Sequence, residues 1–543
     1  MINQDNSRVF LGHVINGSLE QGLLVKIGSG SNIEDIQVGT PVTIDGQSKR
    51  FFGYITDMRL EWANQELQDI TTLAQTPEVT RTIMETSAFS VIKVRPVVII
   101  AGDAASLLDG PEIAKTIPPH LSMVYQASAE DVSYVFGNED DRHIWIGSPL
   151  ALESAQVCLN LEQFVKRSNG IFGKSGTGKS FLTRILLAGI VQKDIAVNLV
   201  FDMHNEYGWQ GSSEQGHPVK GLKQLFNAQV AVFSLDPEFS RMRKKAPDFD
   251  LTIRHQDIEP EDIESLAGIL NLTENARQAS YKLPRELGSS WFHEFLKMSG
   301  EDIKDLSARL SEHESTMLSL KRRLDQFNRL AFIVDDAQGD SIQHIIRTLE
   351  QGIHVVLEFG RYEENLAAYI LVANLLTRRI RRRYVTQTEK AMATNSETPK
   401  PLVITIEEAH KFLTSSVSQY TIFSTIAREM RKYGVTLLIV DQRPGVIEEE
   451  VLSQIGTKLT CQLDNERDVD ALLTGTSGGR ELKQVLSRLE SKQQALIFGH
   501  SVPVPVVVRT REYGSPESYK LFQNSIVNPT TLDLELDSKD LFS

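Results

Sequence analysis

Cysteine is nearly absent from this chain of 543 residues: only Cys158 and Cys461 occur, far apart and without CxxC spacing. That scarcity excludes a disulfide framework and a thiolate-built zinc site, and it makes the cytoplasm the expected compartment. Long apolar runs are missing too. None reaches the roughly 18 residues that a membrane-spanning helix needs, so no membrane contact is expected. The first residues, Met1 to Arg8, are polar and lack the charged-then-apolar layout of a secretion signal. Positive charge is also in deficit, with a formal net charge of −14. A surface coated throughout with nucleic-acid-binding residues is therefore excluded. DNA itself is not, because a ring that grips a duplex needs basic residues only on its inner wall.

What remains is an ordinary globular balance, 41% apolar and 24% charged. The chain is too long for one core, so two or three domains are expected. Basic residues gather in three runs: Arg241-Met242-Arg243-Lys244-Lys245, Lys321-Arg322-Arg323 and Arg378-Arg379-Ile380-Arg381-Arg382-Arg383. Each reads first as a solvated helix face or loop, and nothing in the sequence says which one faces DNA.

Residues 1–150 read as β. Short apolar or alternating runs (Val9 to Ile15, Gly22 to Ile27, Pro41 to Ile44, Phe51 to Thr56, Val91 to Ile100) are separated by Gly, Asp and Asn turn signals, which suggests a small barrel or sandwich. Over 151–247 and 326–512 strands alternate with helices, and the strand candidates are continuous apolar runs. They include Ala196 to Phe201, Val230 to Leu235, Leu330 to Val334, His354 to Phe359, Leu402 to Ile406 and Thr436 to Val440. Such runs suit a parallel sheet covered on both faces. Between them, 248–325 has helical spacing and reads as a helical insertion. Residues 386–400 are polar and read as an exposed loop, and 513–543 as a C-terminal arm ending in an acidic tail.

The chemistry begins at Gly173-Lys174-Ser175-Gly176-Thr177-Gly178-Lys179-Ser180, which fits the Walker A pattern at every required position. The glycines let the backbone wrap around phosphate with its N–H groups inward, and the following helix adds its positive N-terminal dipole. Lys179 is expected on the β- and γ-phosphates of ATP and Ser180 on Mg²⁺. Leu402 to His410 has the form of a Walker B strand; Glu407 is assigned to the metal side and Glu408 to the attacking water. Glu407 stands where Asp is usual. Gln442, after the next strand, is the candidate γ-phosphate sensor. Arg428 and Arg431, three apart, share a helix face; they serve either as guanidinium groups completing a neighbouring subunit's site or as a surface salt-bridge helix.

Taken in order, these motifs resemble the HerA-type hexameric DNA translocases of the HerA/FtsK superfamily. The matching pieces are Gly173 to Ser180, Asp202-Met203-His204-Asn205-Glu206-Tyr207, Glu407-Glu408-Ala409-His410, Arg428-Glu429-Met430-Arg431-Lys432-Tyr433-Gly434 and Gln442-Arg443-Pro444. The resemblance implies an α/β, RecA-like P-loop core with an N-terminal small β-barrel and the helical-bundle insertion. It also implies a homohexamer with ATP sites at subunit interfaces and double-stranded DNA in the pore. Asp202 and Glu206 align near the nucleotide, although both serve equally as capping or turn residues. Archaeal relatives work with a NurA-type nuclease in end resection, and bacterial relatives pair with nucleases or sirtuin-like NADases in phage defence. A partner effector is expected here on that ground. Two other functions stay open: a nucleotide-gated scaffold that assembles an effector, and a conjugation-type coupling ATPase.

Overall fold

The protein was analysed as a computed structural model that describes residues 8–28, 31–63, 88–100, 111–212, 218–335, 339–476 and 478–523. Most of the expected arm, from 524 onward, lies outside them. Two compact units divide the chain. Met1–Phe164, Phe172–Lys179 and Gly456–Arg511 form one; Val165–Ile171, Ser180–Ile455 and Glu512–Ser543 form the other.

In the first unit, alternating apolar residues turn one face of each strand inward. The strands Gly22–Ile27, Phe10–Ser18, Met123–Gln126, Pro41–Asp45, Arg50–Trp62 and Ala88–Ile100 are hydrogen-bonded in that order, and the first pairs with the last. The sheet thus closes into a six-stranded barrel, leaving no free edge among these strands. Leu23, Val25, Val42, Ile44, Ile92 and Val94 fill its interior. Closure needs strongly bent strands, and register shifts at Phe52/Gly53 and Ile55/Asp57 supply the bends. A side chain at Gly53 would place its Cβ 2.0 Å from the Arg95 carbonyl oxygen, so only glycine fits there. Thr457–Thr460, Gln494–Gly499, Val506–Thr510, His143–Pro149 and Val157–Asn160 add an antiparallel run of five strands.

In the second unit, Phe249–Asp250, Val230–Ser234, His354–Glu358, Val197–Asp202, Leu402–Glu407 and Val435–Asp441 pair in parallel in that order. The last five are buried along their whole length, which is why their sequences are continuously apolar instead of alternating. The helix Lys179–Lys193 buries every residue from Leu182 to Val191, as a helix covered on all sides must. The α/β fold class expected from the sequence is the one observed.

Two expectations change. Leu330 to Val334 does not join the main sheet: only Ile333–Val334 is extended, and it pairs with Ile253–Arg254. An apolar run says that a strand is buried, not which ladder buries it. The polar stretch from 386 continues the helix Leu366–Thr394, with Tyr384, Thr388 and Ala391 buried and Asn395 ending it in the left-handed conformation. Its Gln, Glu, Lys and Ala residues are good helix formers, and a buried stripe at helical spacing outweighed the polar composition.

The insertion comprises helices between Pro260 and Leu324 around Leu283, Phe292, Phe295, Leu306, Leu320 and Leu324. The Nδ1 atoms of His255, before the insertion, and His293, within it, lie 3.0 and 2.5 Å from Asp335 Oδ1, after it. The basic run 378–383 is met by acidic partners here, with Arg378 buried and Arg382 and Arg383 still exposed. Arg378 donates to buried Asp262 at 2.7 Å and also to Glu259; Arg379 and Arg382 reach Glu259 at 3.0 and 2.9 Å, and Arg383 reaches Glu350 at 2.5 Å. Burial pushes the Asp262 carboxyl up to about 6, even against the Arg378 charge. Burial would raise Glu259 too, but hydrogen bonds from Arg382 and Arg378 outweigh it and hold that carboxyl at about 2. Arg243, Lys244, Arg322 and Arg323 in the other two runs are exposed too.

Candidate nucleotide-hydrolysis site

The Walker loop leaves the strand Asn169–Phe172 and enters the helix at Lys179. Backbone bonds fasten its start: the Cys461 N–H donates to the Phe172 oxygen at 2.8 Å and the Lys174 N–H to the Gln462 oxygen at 3.0 Å. Gly173 has a φ of +155°, and a Cβ there would lie 2.8 Å from both Cys461 Cβ and Thr177 Oγ1. Glycine is therefore required by close approach as well as by conformation. Lys179 Nζ and Thr177 Oγ1 both donate to the Lys174 carbonyl oxygen, at 2.9 and 2.8 Å. Lys174 extends away to Asp464 at 3.0 Å. Ser175 and Gly176 are exposed at the crest of the loop, where backbone N–H groups are open to an anion.

In the second unit the carboxylates gather at the C-terminal ends of parallel strands, the edge where α/β sheets bind ligands. Asp202 ends its strand fully buried and accepts the N–H groups of Glu206, Tyr207 and Gly208 at 2.7, 2.8 and 3.1 Å. It is thus the staple of a turn. That turn aims Tyr207, whose hydroxyl donates to Glu407 Oε1 at 2.8 Å, while the Tyr369 hydroxyl donates to the Glu407 carbonyl oxygen at 3.1 Å. Glu407 Oε2 is buried with no hydrogen-bond partner. Burial, then the charges of Asp202 and Glu206, drive the Glu407 carboxyl well above its ordinary range. Glu358, in register with Asp202 on the neighbouring strand, is pushed up to about 7 by burial and then by Asp202.

Glu408 has a φ of +48°, a left-handed conformation that costs a non-glycine residue about 1–3 kcal/mol and concentrates at functional sites. Its Oε1 accepts from Gln442 Nε2 at 2.6 Å. Asp441, buried at the end of its strand, accepts the backbone N–H of His410 at 2.7 Å and that of Arg443 at 2.6 Å. Arg428 ends the helix Ile422–Glu429 and pairs with Glu450 at 3.1 Å; Arg431 lies exposed on the following 3-10 turn. Among the described residues neither guanidinium bonds to Glu407, Glu408 or Gln442.

Glu408 and Gln442 are thus in direct contact, and Asp202 and Glu206 bear on Glu407 through charge and through the turn that carries Tyr207. Tyr207, Glu358, His410 and Asp441 had been given no role from the sequence. A signal existed for all four: Glu358 and Asp441 close apolar strands as Glu407 does, Tyr207 ends the Asp-x-His-x-Glu-Tyr motif, and His410 ends the Glu407-Glu408-Ala409-His410 motif. The residues fit a hard divalent cation. An unpartnered buried carboxylate oxygen, crowded by like charge, is the donor such an ion takes, and the Ser180 hydroxyl is of the same oxygen class.

A glycine-rich phosphate loop opening a helix, with acidic residues closing the parallel strands, defines a P-loop ATPase. The family model described as "Helicase HerA, central domain" matches residues 144–380. DNA double-strand break repair helicase HerA of Pyrococcus furiosus is 23% identical over 468 residues, covering 76% of this chain and 80% of that protein. The protein of the same name from Saccharolobus solfataricus is 26% identical over 399 residues, covering 72% and 73%. Among solved structures, VirB4 of Thermoanaerobacter pseudethanolicus is similar at a TM-score of 0.45 and 12% identity, over 70% of this chain and 98% of that one. Over residues 144–380 the chain is thus similar to the HerA central domain, and over 76% and 72% of its length to these two HerA helicases.

Proposed function

We propose that this chain is a HerA-type ATPase, a double-stranded DNA translocase or helicase working as a homohexameric ring, with a partner effector, a NurA-like nuclease or a sirtuin-like enzyme, in DNA end processing or phage defence. The observation that carries the reading is the Glu408–Gln442 contact at 2.6 Å, in a chain that also carries a complete phosphate loop. In the proposed reaction Lys179 engages the β- and γ-phosphates of ATP. Glu408 orients the attacking water and takes its proton, and Gln442 holds Glu408 and senses the γ-phosphate. Arg428 or Arg431 of a neighbouring subunit neutralises charge on the transferring phosphoryl group. Bound Mg²⁺, held through Ser180 and Glu407, supplies neutralisation of phosphate charge. Asp202 serves as the staple that places Tyr207 against Glu407, and Glu206 adds negative charge to the cation site.

The relatives' names, repair helicases that act on DNA breaks, support the substrate. The barrel (1–150) and the arm (513–543) are assigned to partner and neighbour contacts. No helix among the described residues is long and apolar enough to cross a membrane, which disfavours a conjugation-type coupling ATPase. A scaffold reading keeps one support: the largest basic run is spent on internal ion pairs. Measuring ATP hydrolysis by the verified hexamer with and without duplex DNA decides between them. A translocase is expected to speed up several-fold with duplex, and an unchanged rate would sink the motor reading.

A further inference from the structure

We infer that His410 is a positioning residue for Glu408, acting through its Nδ1 atom; the inference rests on the proposed ATP hydrolysis. The argument starts at Asp441. Its carboxylate is fully buried and anchored by two backbone N–H groups, so it is fixed in place and accepts only. His410 Nδ1 lies 3.0 Å from Asp441 Oδ2. Since the carboxylate has no proton to give, Nδ1 carries the hydrogen and the ring is locked in one orientation. The same Nδ1 lies 3.5 Å from Glu408 Oε2, the oxygen that Gln442 does not hold. One oxygen of the Glu408 carboxylate therefore accepts from the Gln442 amide, and the other lies against the imidazole Nδ1, whose hydrogen is directed at Asp441, so that second contact is electrostatic.

This bracket answers a specific need. A glutamate side chain has three rotatable torsions, and the left-handed backbone at Glu408 aims it without fixing its far end. A water-activating carboxylate must be held to a fraction of an ångström, and a displacement of about 1 Å costs about 100-fold in rate. Gln442 alone leaves the carboxylate free to swing about a single hydrogen bond. Adding His410 on the opposite oxygen removes that freedom. Asp441 raises the basicity of the imidazole, through their hydrogen bond first and its charge second, so the ring is biased toward the form that attracts Glu408.

Two isosteres separate this role from simple packing. In His410→Asn the amide nitrogen falls near the Nδ1 position, whereas in His410→Gln it falls near Nε2. With wild type as reference, kcat and KM for ATP and the affinity for a non-hydrolysable ATP analogue are measured for both variants. His410→Gln is expected to lose about 10- to 100-fold in kcat, with KM and analogue affinity within about twofold of wild type; His410→Asn is expected to recover most of that loss. Equal kcat in His410→Gln and wild type, or equal loss in both variants, would overturn the inference. A parallel rise in KM and loss of analogue binding would also overturn it, as the mark of damaged packing. If His410→Gln does not fold, His410→Asn still decides, since a loss above about tenfold there contradicts an Nδ1 role. A wild-type hexamer that binds ATP but never hydrolyses it would instead bring down the enzymatic reading, and this inference with it.

Discussion

Two clusters of buried carboxylates in the second unit are treated oppositely by the chain. At Glu259 and Asp262, three arginines from one helix surround two acids, so charge is answered by charge. At Asp202, Glu358 and Glu407, strand ends bring acids together; Lys245 and Arg243 act on Glu358 only through space, and the hydrogen-bond donors are backbone N–H groups and hydroxyls. The first cluster is complete, and its work is to pin the insertion to the long helix. The second has desolvation to meet and carries surplus negative charge, the condition under which a divalent cation and its phosphate ligands become part of the structure. Buried acids therefore do not by themselves mark a site. Acids without cations do.

Three changes would break or sharpen this contrast. The largest effect is expected beside the unanswered cluster, at the residue that follows Glu407: Glu408→Gln should leave ATP bound while slowing hydrolysis by about 100- to 10,000-fold, read as ATP retained on the protein after gel filtration. Full turnover in that variant would remove Glu408 from the reaction. Next comes the answered cluster. Arg378→Leu leaves Asp262 buried without its cation and should cost about 3–5 kcal/mol of stability, measured by urea unfolding; a loss below 1 kcal/mol would show that water reaches the pair. The smallest effect is a pH slope. Asp262 titrates near 6 in the folded chain against 3.8 as its reference value. Its contribution is full below 3.8 and is lost as pH rises toward 6. Glu259 runs the other way, contributing above its reference value of 4.5 and losing that contribution as pH falls toward 2. Asp262→Asn should therefore flatten the stability profile between pH 4 and 6 and leave the acid limb below 4.5 in place, as thermal melts across that range will show.

The contrast also explains what the sequence could and could not convey. The phosphate loop and the strand ending in Glu407 were legible because each is a local pattern with one geometric outcome, whereas Glu408 and Gln442 were singled out separately and their contact, across 34 positions, was not. The strand pattern left a barrel or a sandwich open, and the barrel expectation came from the resemblance, since closure depends on a pairing between Gly22–Ile27 and Ala88–Ile100 across more than sixty residues. The run Arg378 to Arg383 looked like a surface because its partners, Glu259 and Asp262, lie more than a hundred positions upstream. Asp202 illustrates the same gap on a smaller scale. Its motif marked it as important, but only the three N–H groups folded over it show that it shapes a turn.

The hydrogen bond from Lys179 to the Lys174 carbonyl has a consequence for the entropy of binding. It holds the ammonium against the loop before any ligand arrives, and because an ammonium has three N–H donors, a phosphate can engage it without first breaking that bond. Part of the side chain's rotamer freedom is thus already spent, and less remains to be lost when a nucleotide binds.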